Sequence, residues 1–201
     1  YTYRERMRAL YEAEGISYVQ IFRNWGPLAG ASLPHPHTQV LALAQIPGVP
    51  EKELKNMGEK RVLCKMIERE LKERERVLLE TGNYLAFVPF AARFAFEVMI
   101  LPKVHLPDFR DTGDLELKEL SSLLKRVLGA TKNVLGDISY NLILHSLPDH
   151  DFHWHIEITP RIAGWAGFEL GTGYFNNTVS PEEAAKKLRA SMQETLLSDR
   201  D

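Results

Sequence analysis

The chain has 201 residues, 44% apolar and 26% charged, with a formal net charge of −2, the balance of an ordinary globular protein rather than a disordered, collagen-like or membrane one. No broad basic field is present to hold nucleic acid or an anionic membrane, so an anionic substrate needs a local site. The single cysteine, Cys64, excludes an internal disulfide and a Cys-rich zinc cage and fits a reducing compartment, which makes the cytoplasm the expected location.

Residues 1–14 place Tyr3, Met7, Leu10 and Tyr11 at helical spacing, and Gly15 sits where that helix stops. Tyr18 to Phe22 reads as a strand. A loop with Asn24, Gly26, Pro27, Gly30 and Ser32 leads to His35-Pro36-His37 and a second strand, Thr38 to Ala44. Glu51 to Glu80 carries nine Lys or Arg against eight acidic residues, and its interleaved signs predict a solvated connecting helix, broken near Gly58. Strands Tyr84 to Val88 and Phe94 to Pro102 follow, joined by a turn containing Pro89. A helix from about Leu115 to Leu135 puts Leu117, Leu120, Leu124 and Val127 on one face. The strand Tyr140 to Leu144, a loop, His153-Trp154-His155 and a strand ending at Pro160 complete the reading.

The order helix, strand, loop, His-x-His, strand therefore occurs twice, with 19 residues from Tyr18 to His37 and 15 from Tyr140 to His155. Only the second copy has a hairpin in front of it. The sequence predicts an α+β fold with an antiparallel sheet and packed helices. Residues 1–58 form the later half of a duplicated first unit and residues 59–201 a nearly complete second unit. On this expectation the chain is the later portion of a longer protein whose N-terminal segment completes the first sheet.

Four of the seven histidines fall in the two His-x-His pairs. On a strand, residues two apart share a face, so His153 and His155 are expected side by side with Asp151 and Glu157, opposite Phe152, Trp154, Ile156 and Ile158. Two imidazoles about 7 Å apart can share one metal ion. His145, at the end of the preceding strand, is a third candidate ligand and His150 a weaker one, while Glu51, Glu53 and Glu157 are equally open as the carboxylate. Pro36 cannot donate to a ladder, which places the first pair at a strand start or edge. Gly26 and Gly30 let backbone N–H groups approach an anion, and Ser32 and Gln39 can donate to phosphoryl oxygens. An imidazole beside such a site can act as a nucleophile that forms a phosphoramidate, or as a general acid-base in hydrolysis.

The stretch YVQIFRNWGPLAGASLPHPHTQ resembles the active-site segment of galactose-1-phosphate uridylyltransferases, within the histidine triad superfamily. FEVMILPKVHLPDF is similar to a strand-to-loop segment of histidine triad folds, and FHWHIEITPR and AGFELGTGYFNN resemble the later half of the same transferases. By this resemblance His37 matches the nucleophile that accepts a uridylyl group, and Gln39 the side chain that hydrogen-bonds the transferred phosphoryl. Asn24, Gly30 and Ser32 match nucleotide-phosphate contacts. Glu53, His145, His153 and His155 match a structural metal site, for zinc or iron. His35 matches a zinc ligand in members with an upstream Cys pair, and no such pair lies in this chain. Phe168 matches the start of the sugar-phosphate segment, where GFELGTGY departs from the best-known bacterial transferases.

The resemblance implies transfer of a uridylyl group between UDP-glucose and galactose 1-phosphate by a homodimer. Two alternatives stand beside it: an ADP-glucose or dinucleoside-polyphosphate phosphorylase of the same superfamily, and a non-catalytic nucleotide- or metal-binding module.

Overall fold

The computed structural model describes residues 1–57 and 61–198. Its centre is a seven-stranded sheet built from β1 (Tyr18–Trp25), β2 (Gln39–Leu43), β3 (Val77–Glu80), β4 (Tyr84–Phe87), β5 (Val98–Pro102), β6 (Tyr140–His145) and β7 (His155–Pro160). The strand order is β2-β1-β6-β7-β5-β4-β3 and every pairing is antiparallel. The helices are α1 (Thr2–Tyr11), α2 (Gly48–Met57), α3 (Val62–Glu73), α4 (Asp114–Leu135), α5 (Gly167–Thr172) and α6 (Pro181–Ser198). This is the α+β architecture expected from the sequence.

The two strands read as equivalents, β1 and β6, lie next to each other, with Ile21 opposite Leu144 and Asn24 opposite Asn141. Their partners β2 and β7 flank them. The internal order of the sequence is thus laid out as one continuous sheet with β2 at one edge.

Alternation along β4 and β5 explains how the sheet carries helices on both faces. Tyr84, Ala86, Val98 and Ile100 enter the large core with Leu117, Leu120, Leu123 and Val127 of α4 and Ala184, Ala185 and Leu188 of α6. Leu85, Phe87, Met99 and Leu101 point the other way, onto Leu63 and Ile67 of α3. Trp154 is fully buried in the large core, 5.9 Å from the Tyr84 ring and edge-on to Phe109 at 5.1 Å.

Three expectations are corrected. The charged run 51–80 is not one solvated helix: α3 ends where Arg74 takes a left-handed conformation (φ +57°), and β3 follows and pairs with β4. Within that run the Arg76 and Glu70 side chains, each only 3% exposed, form an ion pair at 2.8 Å, and Glu182 of α6 joins it at 2.8 Å. The break expected near Gly58 lies outside the described residues. The strand expected from Phe94 begins only at Val98, because the Glu97 carboxylate accepts from the amides of Arg93 and Phe94 and folds that segment into a turn. On α4 the inward residue is Leu123, and Leu124 is only partly buried.

Candidate active site and metal centre

The loop after β1 is shaped by glycines in a left-handed conformation. Gly26 (φ +77°) has no room for a side chain, since a Cβ there would meet Ser139 Oγ at 2.2 Å, and Gly30 (φ +78°) ends a short 3-10 turn over Pro27–Ala29. The amides of residues 28–31 are already used, three inside the loop and one on Ser139. Leu28 N–H reaches Ser139 Oγ, those of Ala29 and Ala31 reach Gly26 O, and that of Gly30 reaches Pro27 O. These amides stiffen the loop instead of facing an anion. Asn24 is fixed by Asn141, whose Nδ2 donates to Asn24 Oδ1 at 2.8 Å and to Ala29 O at 2.9 Å. Exposed Ser32 lines a cleft with Trp25, Gly26, Asp137 and Ser139.

His37 precedes β2, and Gln39 opens that strand opposite Phe22. Both are partly exposed on the edge strand, as Pro36 predicts. His37 Nδ1 lies 2.8 Å from the carbonyl oxygen of His35. A carbonyl only accepts, so Nδ1 carries the proton and Nε2 keeps its lone pair. His35 is exposed and belongs to no group of three or more potential metal ligands among the described residues. Phe168 lies on α5 and is 57% exposed, in a segment that also exposes Trp165, Tyr174 and Phe175.

The most developed polar centre lies under the sheet's middle strands. Pairing of β6 with β7 sets His145 opposite His155, and their rings stack at 4.5 Å. Glu53 of α2 and Glu157 of β7 complete a group whose ligand atoms all lie within 4.8 Å of one another. His145 Nδ1 is 3.0 Å from Glu53 Oε2, while its Nε2 faces Glu157 Oε2 at 3.3 Å, buried and without a hydrogen-bond partner of good geometry. His155 Nδ1 reaches the carbonyl of His153 at 3.0 Å, which leaves its Nε2 free to ligate. Burial opposes the charged form of His145 but is outweighed by the adjacent Glu157 and Glu53, which raise its pKa to about 10. Burial also opposes ionisation of Glu157, yet His145 and Arg93 hold its carboxyl well below the usual range. Burial, with the charge of His145, pushes His155 down.

His153 is not side by side with His155 in this group. β7 opens only at His155, and the preceding backbone is drawn aside by the Trp154 N–H to Leu106 O bond. The His153 ring points instead to Pro102 O (Nε2, 2.9 Å) and Cys64 Sγ (Nδ1, 3.5 Å), making a second cluster with Cys64 and His105. Burial lowers its pKa to about 4.

Sequence reasoning placed Glu157 on the correct face and left it open as a carboxylate donor. It missed Cys64 and His105, which no periodicity connects to His153. It also missed Arg93, whose Nη2 binds Glu157 Oε2 at 2.5 Å and Glu97 Oε1 at 2.8 Å.

An antiparallel sheet with His-Pro-His-x-Gln at the start of an edge strand, and a buried His/Glu centre beside it, is the fold shared by uridylyltransferases and histidine triad proteins. The chain belongs to the family described as "Domain of unknown function (DUF4921)", whose model matches residues 1–200, and it is homologous to galactose-1-phosphate uridylyltransferases. It is 34% identical over 197 residues to the ADP-glucose phosphorylase of Arabidopsis thaliana, covering 93% of this chain and 56% of that protein. It is 36% identical over 204 residues to the galactose-1-phosphate uridylyltransferase of Thermotoga maritima, covering 92% of this chain and 64% of that one. The chain thus spans little more than half the length of these curated relatives. A solved uridylyltransferase superposes with a TM-score of 0.87 at 33% identity, covering 95% of this chain and 65% of that chain. A zinc-bound histidine triad family protein from Mycobacterium smegmatis shares the fold, with a TM-score of 0.51 at 18% identity over 68% of this chain and 96% of its own. No helix among the described residues is long and apolar enough to cross a membrane.

Proposed function

We propose that the protein is a cytoplasmic nucleotidyltransferase that moves a uridylyl group between UDP-glucose and galactose 1-phosphate through a covalent intermediate on His37. The observation that supports this most directly is the His37 tautomer: Nδ1 is committed to the His35 carbonyl, so the free Nε2 lone pair is the nucleophile. Nε2 attacks the α-phosphorus, a P–N bond forms, and the P–O bond to the departing glucose 1-phosphate breaks. Galactose 1-phosphate then attacks the same phosphorus, the P–N bond breaks, and UDP-galactose leaves with His37 restored. Gln39 and Ser32 donate to the phosphoryl oxygens, and Asn24 and Gly30 shape the phosphate-binding loop. Catalysis of this kind rests on positioning and charge stabilisation.

The buried centre of Glu53, His145 and His155 suits a divalent cation such as zinc, because its carboxylate and imidazole ligand atoms all lie within 4.8 Å of one another. Its role in this reading is structural: it ties α2, which follows the catalytic strand, to β6 and β7. The exposed aromatics around Phe168 support a homodimer in which that segment supplies the sugar-phosphate side of the partner's site.

Similarity to an ADP-glucose phosphorylase favours one second reading, adenylyl transfer to inorganic phosphate by the same His37 chemistry. Intact-mass spectrometry after incubation with UDP-glucose and, separately, ADP-glucose decides between them. A gain of one uridylyl group, absent in His37→Asn, is expected, and an adenylyl gain instead selects the second reading. No adduct from either donor in folded protein overturns both.

A further inference from the structure

We propose that Asn141, on β6, is a positioning residue for nucleotidyl transfer: it fixes the side-chain amide of Asn24 so that the NH2 group, and not the carbonyl oxygen, meets the transferred phosphoryl. Its catalytic consequence rests on the His37 chemistry proposed above, whereas the orientation of the Asn24 amide is a property of the free protein.

Antiparallel pairing sets Asn24 directly opposite Asn141, so the two side chains share one face of the sheet. Ile21 and Leu142 alternate with them and turn into the large core on the other face. An amide has a donor end and an acceptor end, and which way it is turned follows from its neighbours. Ala29 O is a carbonyl and only accepts, so the Asn141 atom 2.9 Å from it is Nδ2. The same Nδ2 lies 2.8 Å from the Asn24 amide, and the atom that accepts there is Oδ1. Both hydrogens of Asn141 Nδ2 are thereby committed. Asn24 Nδ2 is left on the other side of its amide and donates to no other described residue.

The turn of this amide matters because the loop has no backbone donors to spare. The amides of residues 28–31 are already bonded, so an anionic oxygen at the loop is met by side chains: Asn24, Ser32 and Gln39. Turned over, Asn24 would set a carbonyl oxygen against the phosphoryl oxygens and exchange attraction for repulsion. Asn141 removes that choice before the substrate arrives, as preorganised donors do.

The test has two arms, both on the full chain. In nitrogen-edited NMR of the free protein, with side-chain amides assigned through their own backbone resonances, the Asn141 NH2 protons should be protected from solvent exchange and the Asn24 pair should exchange fast. Protection of Asn24 with fast exchange at Asn141 overturns the proposal. The second arm follows the rate of His37 nucleotidylation by intact mass. Asn24→Ala is expected to slow it about a hundredfold, the scale of one lost oxyanion donor. Asn141→Ala is expected to slow it about tenfold, the cost of ordering one freed side chain. Added to Asn24→Ala, Asn141→Ala should slow the step no further, because it acts through Asn24. Effects that multiply in the double variant would mean that Asn141 only braces the loop through Ala29 O, and would overturn the proposal. If Asn141→Ala does not fold, the exchange pattern of the unmutated protein decides alone. No adduct from either nucleotide sugar removes the His37 reading and the catalytic role of Asn141 with it, while the exchange pattern shows separately whether the amide is held as assigned.

Discussion

Two clusters of potential ligands meet at the start of β7, and they are built differently. Around His145 and His155, two largely buried carboxylates press on two buried imidazoles, and anionic charge is in excess. Around Cys64, His105 and His153, Cys64 Sγ lies 3.4 Å from His105 Nδ1 and 3.5 Å from His153 Nδ1, and His105 Nε2 faces the carboxylate of Asp151 at 2.8 Å. Ligand-type residues within bonding distance are common to both. The first is the more deeply buried and holds two carboxylates against the second cluster's single, half-exposed Asp151, and that makes it the centre with the greater need of a cation.

The largest expected effect tests that distinction by stability. Zinc at a thousandfold excess over its dissociation constant adds about 4 kcal/mol to a protein that binds it only when folded. For a chain of this length that is a rise in Tm of about 8–16 °C. Calorimetry should show this rise in the unmutated protein and its loss in His145→Ala. A full rise in folded His145→Ala would mean that zinc is held elsewhere and would dissolve the contrast between the clusters.

The next effect concerns the support of the charged cluster. Arg93→Met leaves Glu97 and Glu157 without their guanidinium. Breaking a buried ion pair costs about 3–5 kcal/mol, and the one-third exposure of Arg93 (33%) reduces this to about 2 kcal/mol. Urea denaturation of the metal-free protein should show that loss, and saturating zinc should recover part of it by supplying positive charge to Glu157. Equal losses with and without zinc would mean that Arg93 acts on the fold alone.

The same contrast shows what the sequence made legible. Strand alternation around Trp154, Ile156 and Ile158 was readable because those side chains face one core, and the repeated helix-strand-loop-strand order marked β1 and β6 as equivalents without showing that they pair with each other. Glu157 was visible as a member of the polar face. What alternation could not anticipate is where the strand begins. A backbone bond from Trp154 to Leu106 delays the regular pairing to two residues after His153, so the period-two rule fails between His153 and His155. Arg93 and Glu97 were read as parts of a turn and a strand, because a carboxylate that captures two amides of its own turn leaves no periodic trace. Arg76 and Glu70 were read as solvated for the complementary reason: interleaved charges look alike whether they face water or one another.

The smallest expected effect is Cys64→Ser, and it separates proximity from ligation. Burial pushes the Cys64 thiol up, and its sulfur lies at hydrogen-bond distance from His105 and His153. A hydroxyl can make the same local contact to His105 or His153, and the side chain is only partly buried. The substitution should therefore cost no more than about 1 kcal/mol in urea denaturation, below the range of large core defects. Bound zinc measured by elemental analysis should be unchanged. A loss of one zinc per chain would make the Cys64, His105 and His153 cluster a metal site in its own right, and the difference between the two clusters would then be one of ligand type rather than of need for a cation.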